Sequence, residues 1–457
     1  MQWLKLTALI SMAIAAPAAD LQIPVEAYKL DNGMRIILSR DTSAPVVSVY
    51  MLYGVGARSE TKGRTGFAHL FEHMMFQGSK NAPKGTMDKM IASAGGYLNG
   101  STHYDYTDYY EVIPSNKLPV ALWLEADRMR GLDITAENLT NQKEAVKQER
   151  RMRLDNQPYA TAIVDLWYEV AFENWANSHS IIGSFEDLNA ASADDVAKFF
   201  KTYYAPNNAI LAIVGDLDIP TAKKLIQTYF GDIDSQPQPK HPDRSEPESR
   251  GAKHEVYKDP LAKVPGIIIG YPGPKRRSAD YYALVMLDAV LTGGDSSRFQ
   301  QNLVKGRQSV VQFETNLGWP FASYTDYQDP GVFGMFLLHK PDVTGKQILS
   351  QVEEELDKIR KDGVPAKELE RAGAFLRSHR LRELQSSLGR AKLLAQHQLL
   401  DGDAGYINTE MDRFLAVTPE QVQSVANKYF KTVARRALEI IPAPEKPVAN
   451  TGTTGGK

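Results

Sequence analysis

Two histidines and a glutamate fall within five residues of one another, as His69-x-x-Glu72-His73. On a helix, residues four apart project from one face a turn apart, so both imidazoles can reach one ion. Glu72 lies three residues beyond His69 on the same side, which sets its carboxylate beside that ion, placed to take a proton from water. Zinc held by three protein ligands, with a fourth position open, lowers the pKa of a bound water to about 7 and polarises a carbonyl. Metal-assisted peptide hydrolysis is the chemistry this spacing points to. The neighbouring Leu70, Phe71, Met74, Met75 and Phe76 are too apolar for a solvated surface helix. Buried histidines beside a buried carboxylate need a shared partner, and an ion supplies one. The chain has 9 histidines and no cysteine, so any metal must be held by nitrogen and oxygen. At that histidine frequency the motif arises by chance about once in a hundred such chains.

A third ligand must come from elsewhere. The stretch KEAVKQER reads as helix and offers Glu144 and Glu149. Glu149 shares the apolar face of Ala145 and Val146, whereas Glu144 is rotated by roughly 140° from it at about 100° per residue. Glu149 is therefore the expected ligand; the competing reading is one more salt-bridged carboxylate beside Arg150 and Arg151.

The elements that must position these residues follow from periodicity. VEAYKLDNGMRIILSRD reads as a hairpin turning at Asp31-Asn32-Gly33, and VVSVYMLYGVG as a strand. From Thr65 to Met75 the spacing becomes helical, as it is over Leu118 to Arg130, Ala136 to Leu154 and Ala193 to Tyr204, before the strand AILAIVGDL. SQPQPKHPDRSEPESRG, rich in Pro, Ser and charge, reads as a linker. Beyond it the plan repeats. SADDVAKFFKTYY matches TPEQVQSVANKYF, and GFAHLFEHMMFQGS aligns with YYALVMLDAVLTGG. That alignment sets Leu284, Leu287 and Asp288 opposite His69, Glu72 and His73, so the second copy is not expected to bind metal. The expected fold class is α+β, with two homologous, duplicated domains, each a mainly antiparallel sheet covered by helices. The expected division is a signal peptide over 1–19, a metal-binding domain over 20–236, a linker over 237–252, a second domain over 253–445 and a disordered tail over 446–457.

A chain of 457 residues exceeds what one hydrophobic core supports. With 53 Lys and Arg against 55 Asp and Glu there is no basic excess to neutralise phosphates, which argues against nucleic acid as a partner. The N-terminal MQWLKLTALISMAIAAPAAD carries one lysine, an apolar stretch and an A-x-A arrangement, the pattern of an export signal. A membrane anchor is the alternative, but the apolar run falls short of the ~20 residues that span a bilayer. A periplasmic or secreted protein, without membrane insertion after signal removal, is expected.

Together, GFAHLFEHMMFQGSKN, the downstream GGYLNGSTHYDYTDYY and the later EAVKQE resemble the insulinase/pitrilysin family of zinc peptidases, the inverzincins. The likeness runs from about Leu21 to Pro442 and is strongest to short two-domain bacterial and processing-peptidase-like members. It implies one zinc per chain, with Glu149 as the third ligand and Glu72 as the base. The family's supporting glutamate seven residues before that ligand is here Gln142, whose amide can hydrogen-bond a ligating group but brings no charge. The resemblance also implies that the strand holding Asn99, Gly100 and Ser101 is a sheet edge to which an extended peptide adds, with Asn99 on the substrate backbone. Without the resemblance, the same stretch reads equally as an ordinary tyrosine-rich strand. His103 is read as structural. Family members enclose a chamber with four related domains, so two here imply a partner chain. The family's Arg and Tyr that stabilise the carbonyl oxyanion fall on Val304 and Val311, with Arg298 and Arg307 out of register. The expectation is a catalytic subunit of a heterodimer with a zinc-less homologue supplying Arg and Tyr. A self-sufficient homodimer and a non-catalytic chamber or peptide-binding subunit are the alternatives.

Overall fold

Gly33, at φ 91°, closes the first turn, and the Asn32 amide ties it to the carbonyls of Phe230 and Ile233. The computed structural model describes residues 22–443 apart from 239–240 and 248–249, so the signal-peptide and tail expectations lie outside the described residues. The turn joins β1 (Glu26–Lys29) to β2 (Arg35–Arg40); with β3 (Val46–Tyr53), β4 (Tyr97–Thr102), β5 (Thr107–Pro114) and β6 (Ala209–Gly215) they form a sheet in the order β1-β2-β6-β3-β5-β4. A second sheet holds β7 (Lys253–Asp259), β8 (Gly266–Pro272), β9 (Val310–Leu317), β10 (Val332–His339) and β11 (Arg436–Pro442) in the order β7-β11-β8-β10-β9.

Without β1, the two sheets are the same object. β2 runs parallel to β6 as β7 does to β11, and every other neighbouring pair is antiparallel. The duplicated α+β reading of the sequence holds.

Five helices of the first half matter for the site: α1 (Phe67–Met74), α2 (Thr86–Ser93), α3 (Leu118–Arg130), α4 (Ala136–Arg150) and α5 (Trp167–Ala171). The expected helix over Ala136 to Leu154 is present, but its last turn widens to a π-helical one over Arg151–Asp155. Along β3, Val47, Val49, Met51 and Tyr53 pack on Leu70 and Phe71 of α1 and Leu122 of α3, while Tyr50 and Leu52 face the other way. Both sets are fully buried, which is why the strand reads as an unbroken apolar run.

What covers the second face was not expected. Leu393, Leu394 and Ala395 of the helix Ser387–Leu400, from the C-terminal half, pack on Tyr50, Leu52, Ile210 and Ala212 of the first sheet. Conversely Trp167, Val170 and Ala171 of α5, from the N-terminal half, pack on Ile268, Phe336 and Ile440 of the second. Each sheet is closed on one face by its own helices and on the other by a helix of its counterpart. Gly270 makes room for this exchange, since a Cβ there would stand 2.5 Å from the Trp167 ring. Emptying the fully buried Trp167 site would cost about 3–5 kcal/mol.

Candidate metal centre

Helix α1 begins at Gly66, where φ is 75° and a Cβ would meet the Ile182 carbonyl at 2.3 Å, so glycine is needed there on both counts. No cap comes from the adjacent side chain; instead the buried Glu60 carboxylate accepts from Gly66 N at 3.0 Å and Ala68 N at 2.8 Å. A carboxylate at a helix N-terminus satisfies free N–H groups and favours the dipole. Burial raises the Glu60 pKa against these donors and His179, whose Nε2 stands 3.1 Å away. For His179 burial works downward, but Glu60 prevails and raises it. Glu60 and His179 carry no motif, and no reading of the sequence singled them out.

From α1, His69 and His73 project toward Glu149 on α4. The His69 Nε2 lies 3.6 Å and the His73 Nε2 3.2 Å from Glu149 Oε2, and the two rings meet edge to face at 4.9 Å. Tetrahedral zinc with bonds of about 2.0–2.1 Å sets its donors about 3.3–3.4 Å apart, close to both spacings. His69, His73 and Glu149 are the one group of three or more possible ligands that converges among the described residues. Glu144 instead pairs with Lys147 and is largely exposed.

Gln142 Oε1 lies 3.3 Å from His73 Nδ1, which assigns the proton to that nitrogen and leaves the Nε2 lone pair facing a carboxylate oxygen. Two acceptors at that distance repel unless a proton or a cation lies between them. His69 Nδ1 is buried with no partner among the described residues. Burial lowers His69 to about 4, which keeps it neutral, as a ligand must be. A proton between His73 Nε2 and Glu149 makes His73 an imidazolium, which burial opposes but Glu149 and Glu72 favour more strongly. Its hydrogen bond then holds Glu149 below the usual carboxylate range, and Arg153, 2.9 Å from its other oxygen, works the same way.

Glu72, 9% exposed, accepts from the Thr102 hydroxyl at 2.6 Å through Oε2. Burial pushes it up to about 7. Thr102 was passed over in the sequence, although alternation along β4 puts it on the same face as Gly100, whose Cβ position lies 3.3 Å from Phe76 just after α1. A cleft of about 800 Å³ opens here, bounded by the triad, Glu72, Gln142, Asn99, Gly100, Ser101 and Thr102. β4 is the edge strand, and Asn99 is exposed on it. Ser101 donates to Asp108 at 2.7 Å and touches His103, which stacks on Tyr106 away from the triad.

The C-terminal half contributes only Phe321 to the cleft among the described residues. Val304 packs against the second core, and Val311 is 56% exposed on β9. Arg298 is bidentate with Glu368 and Arg307 pairs with Glu354; neither lines the cleft. In the second copy Leu284 and Leu287 are core residues, and Asp288 accepts from Thr315 on β9.

Comparison with known proteins gives two family matches: residues 35–183 match the model described as insulinase (peptidase family M16), and residues 190–376 that of the peptidase M16 inactive domain. The zinc protease PqqE of Helicobacter pylori is 28% identical over 91% of this chain and 93% of its own. A mitochondrial-processing peptidase subunit beta from Lentinula edodes is 23% identical over 88% and 87%. Among solved structures, a protease from Helicobacter pylori superposes with TM-score 0.85 at 26% identity, over 92% of this chain and all of its own. The periplasmic protease PqqL from Escherichia coli shares the fold at TM-score 0.75 and 16% identity, over 93% of this chain but 48% of its own.

Proposed function

Because the chain belongs to the insulinase family of peptidases and carries that family's two domain types in order, we propose that it is a zinc-dependent endopeptidase. The observation that carries this reading is the convergence of His69, His73 and Glu149 with Glu72 beside them. These three residues would hold one zinc ion, which when bound supplies Lewis acidity, acidifying water and polarising a peptide carbonyl. Glu72 acts as the general base: Thr102 occupies its Oε2, which leaves Oε1 free to take a proton and later return it to the departing amine. Asn99, Gly100 and Ser101 on the free edge of β4 receive the substrate as an added strand, the peptide pairing by main-chain hydrogen bonds. Gln142 orients His73.

The partner reading also rests on the cleft. Among the described residues Phe321 alone reaches it from the C-terminal half, so no described Arg or Tyr of that half stands ready for a carbonyl oxyanion. A zinc-less homologue closing over the cleft would supply them, making this chain the catalytic subunit of a heterodimeric chamber. Two relatives agree in kind: one is named as a subunit, and PqqL is about twice as long as this chain. The N-terminal export pattern supports a periplasmic or secreted location, and PqqL, which shares the fold, is a periplasmic protease.

The test is hydrolysis of a peptide panel by the chain alone and with its two-domain homologue, each with and without chelator. Glu72→Gln should lower kcat by about 10²–10⁴ while keeping one zinc per chain. Metal-dependent turnover only with the homologue supports the shared site. Full turnover from the chain alone points to a homodimer, and none under any condition to a peptide-binding subunit.

A further inference from the structure

A second cavity, of about 250 Å³, lies apart from the metal centre where the two halves meet. Arg35 of β2, Arg58, and Asp105 of the β4–β5 hairpin line it together with His241 and Arg244 of the connecting segment, and Leu399 and Leu400 close it. Its wall holds three guanidiniums and one carboxylate, so two positive charges are left over. Asp105 is already engaged: Arg58 Nη1 donates to both of its oxygens, at 2.9 and 3.2 Å, while Nη2 donates to the Pro330 carbonyl at 2.7 Å, and Arg244 donates to Asp105 at 2.5 Å.

Two features point to an anionic ligand. Arg58 is 93% buried by its 7% exposure, yet its Nε has no acceptor among the described residues. The Arg35 side chain makes no hydrogen bond or ion pair among the described residues, and burial lowers its pKa with no carboxylate to oppose it. Uncompensated guanidiniums in a concave wall are costly unless an anion joins them. The helix Ser387–Leu400 ends at this cavity and brings partial negative charge, but that amounts to about half an elementary charge. The surplus of two positive charges, three arginines against Asp105, outweighs it.

We propose that this cavity is a binding site for a small oxyanion of phosphate size and charge, held by Arg35, Arg58 and Arg244. Its volume falls below the roughly 300–1,000 Å³ of pockets that take drug-sized ligands, so a free inorganic anion fits better than a nucleotide. Bound there, the anion ties β2, the connecting segment and the end of the helix Ser387–Leu400 together. The site is independent of the peptidase reading.

Calorimetric titration of the full chain with inorganic phosphate, against chloride at matched ionic strength, tests it. One phosphate per chain is expected, with Arg35→Gln and Arg244→Gln each weakening binding about tenfold or more and Arg40→Gln, at the exposed end of the same strand, leaving it unchanged. Arg244 lies outside both sheets, so its variant stands even if the strand substitution impairs folding. Absence of binding to the wild type, or equal binding by wild type, Arg35→Gln and Arg244→Gln, overturns the proposal. So does a melting-temperature rise common to all variants, the mark of phosphate excluded from the surface.

Discussion

At the scale of single residues, Gln142 is the informative departure. Its amide oxygen takes the His73 Nδ1 proton and so turns the other ring nitrogen toward Glu149, but it brings no negative charge to raise the basicity of the ring. Gln142→Ala should weaken zinc binding about 10–100-fold, and Gln142→Glu should tighten it relative to the wild type; competition with a chromophoric chelator measures both. His69, Glu72, His73 and Glu149 could be picked out from sequence because helical geometry converts spacing into direction. Glu60 could not. It sits 119 positions from its partner His179, and its role as helix cap exists only once the chain has folded back on itself. Thr102 falls between, since strand alternation gives its face but not the carboxylate it meets.

At the scale of elements, the two copies keep one device and lose another. In the first, Thr102 on edge strand β4 bonds Glu72 on α1; in the second, Thr315 on edge strand β9 bonds Asp288 on the helix Ala279–Thr292. The strand-to-helix link survives without the two histidines of the first copy. Asp288 titrates in a measurable way, for burial pushes it up to about 6 from the ordinary 3.8 while the Thr315 and Thr292 hydroxyls pull the other way. A carboxyl with a folded pKa above its unfolded one binds its proton more tightly in the native state. The stability it contributes is therefore present in full below about pH 4 and lost as pH rises through about 6. Asp288→Asn should remove that slope and gain up to about 3 kcal/mol at pH 8, read as the pH dependence of the urea midpoint in the two proteins. Strands and helices were legible in sequence because burial writes periods of two and 3.6. The widened turn after α4 left no such mark, since its residues Arg151 to Asp155 are mostly polar and exposed.

At the scale of the whole molecule, the internal repeat could be read in advance and the crossing of helices between the halves could not. Periodicity shows that α5 and the helix Ser387–Leu400 have apolar residues to bury, but not which sheet receives them. The exchange means that either half alone would expose a sheet face: Tyr50, Leu52, Ile210 and Ala212 in the first, Ile268, Phe336 and Ile440 in the second. Residues 22–236 and 253–443, expressed singly, should therefore be insoluble or molten, and expressed together should recover one folded species; size-exclusion chromatography and near-UV dichroism distinguish these. The connecting segment has no helix or strand among its described residues, and Glu246 in it accepts from the backbone of Glu173 and Asn174 just after α5. Tying the two sheets together falls to the swapped helices rather than to that segment. A chain nicked between Gln238 and His241 would migrate as two bands in detergent and still sediment as a single particle, so covalent continuity there governs how the halves find each other during synthesis rather than whether they stay joined afterwards.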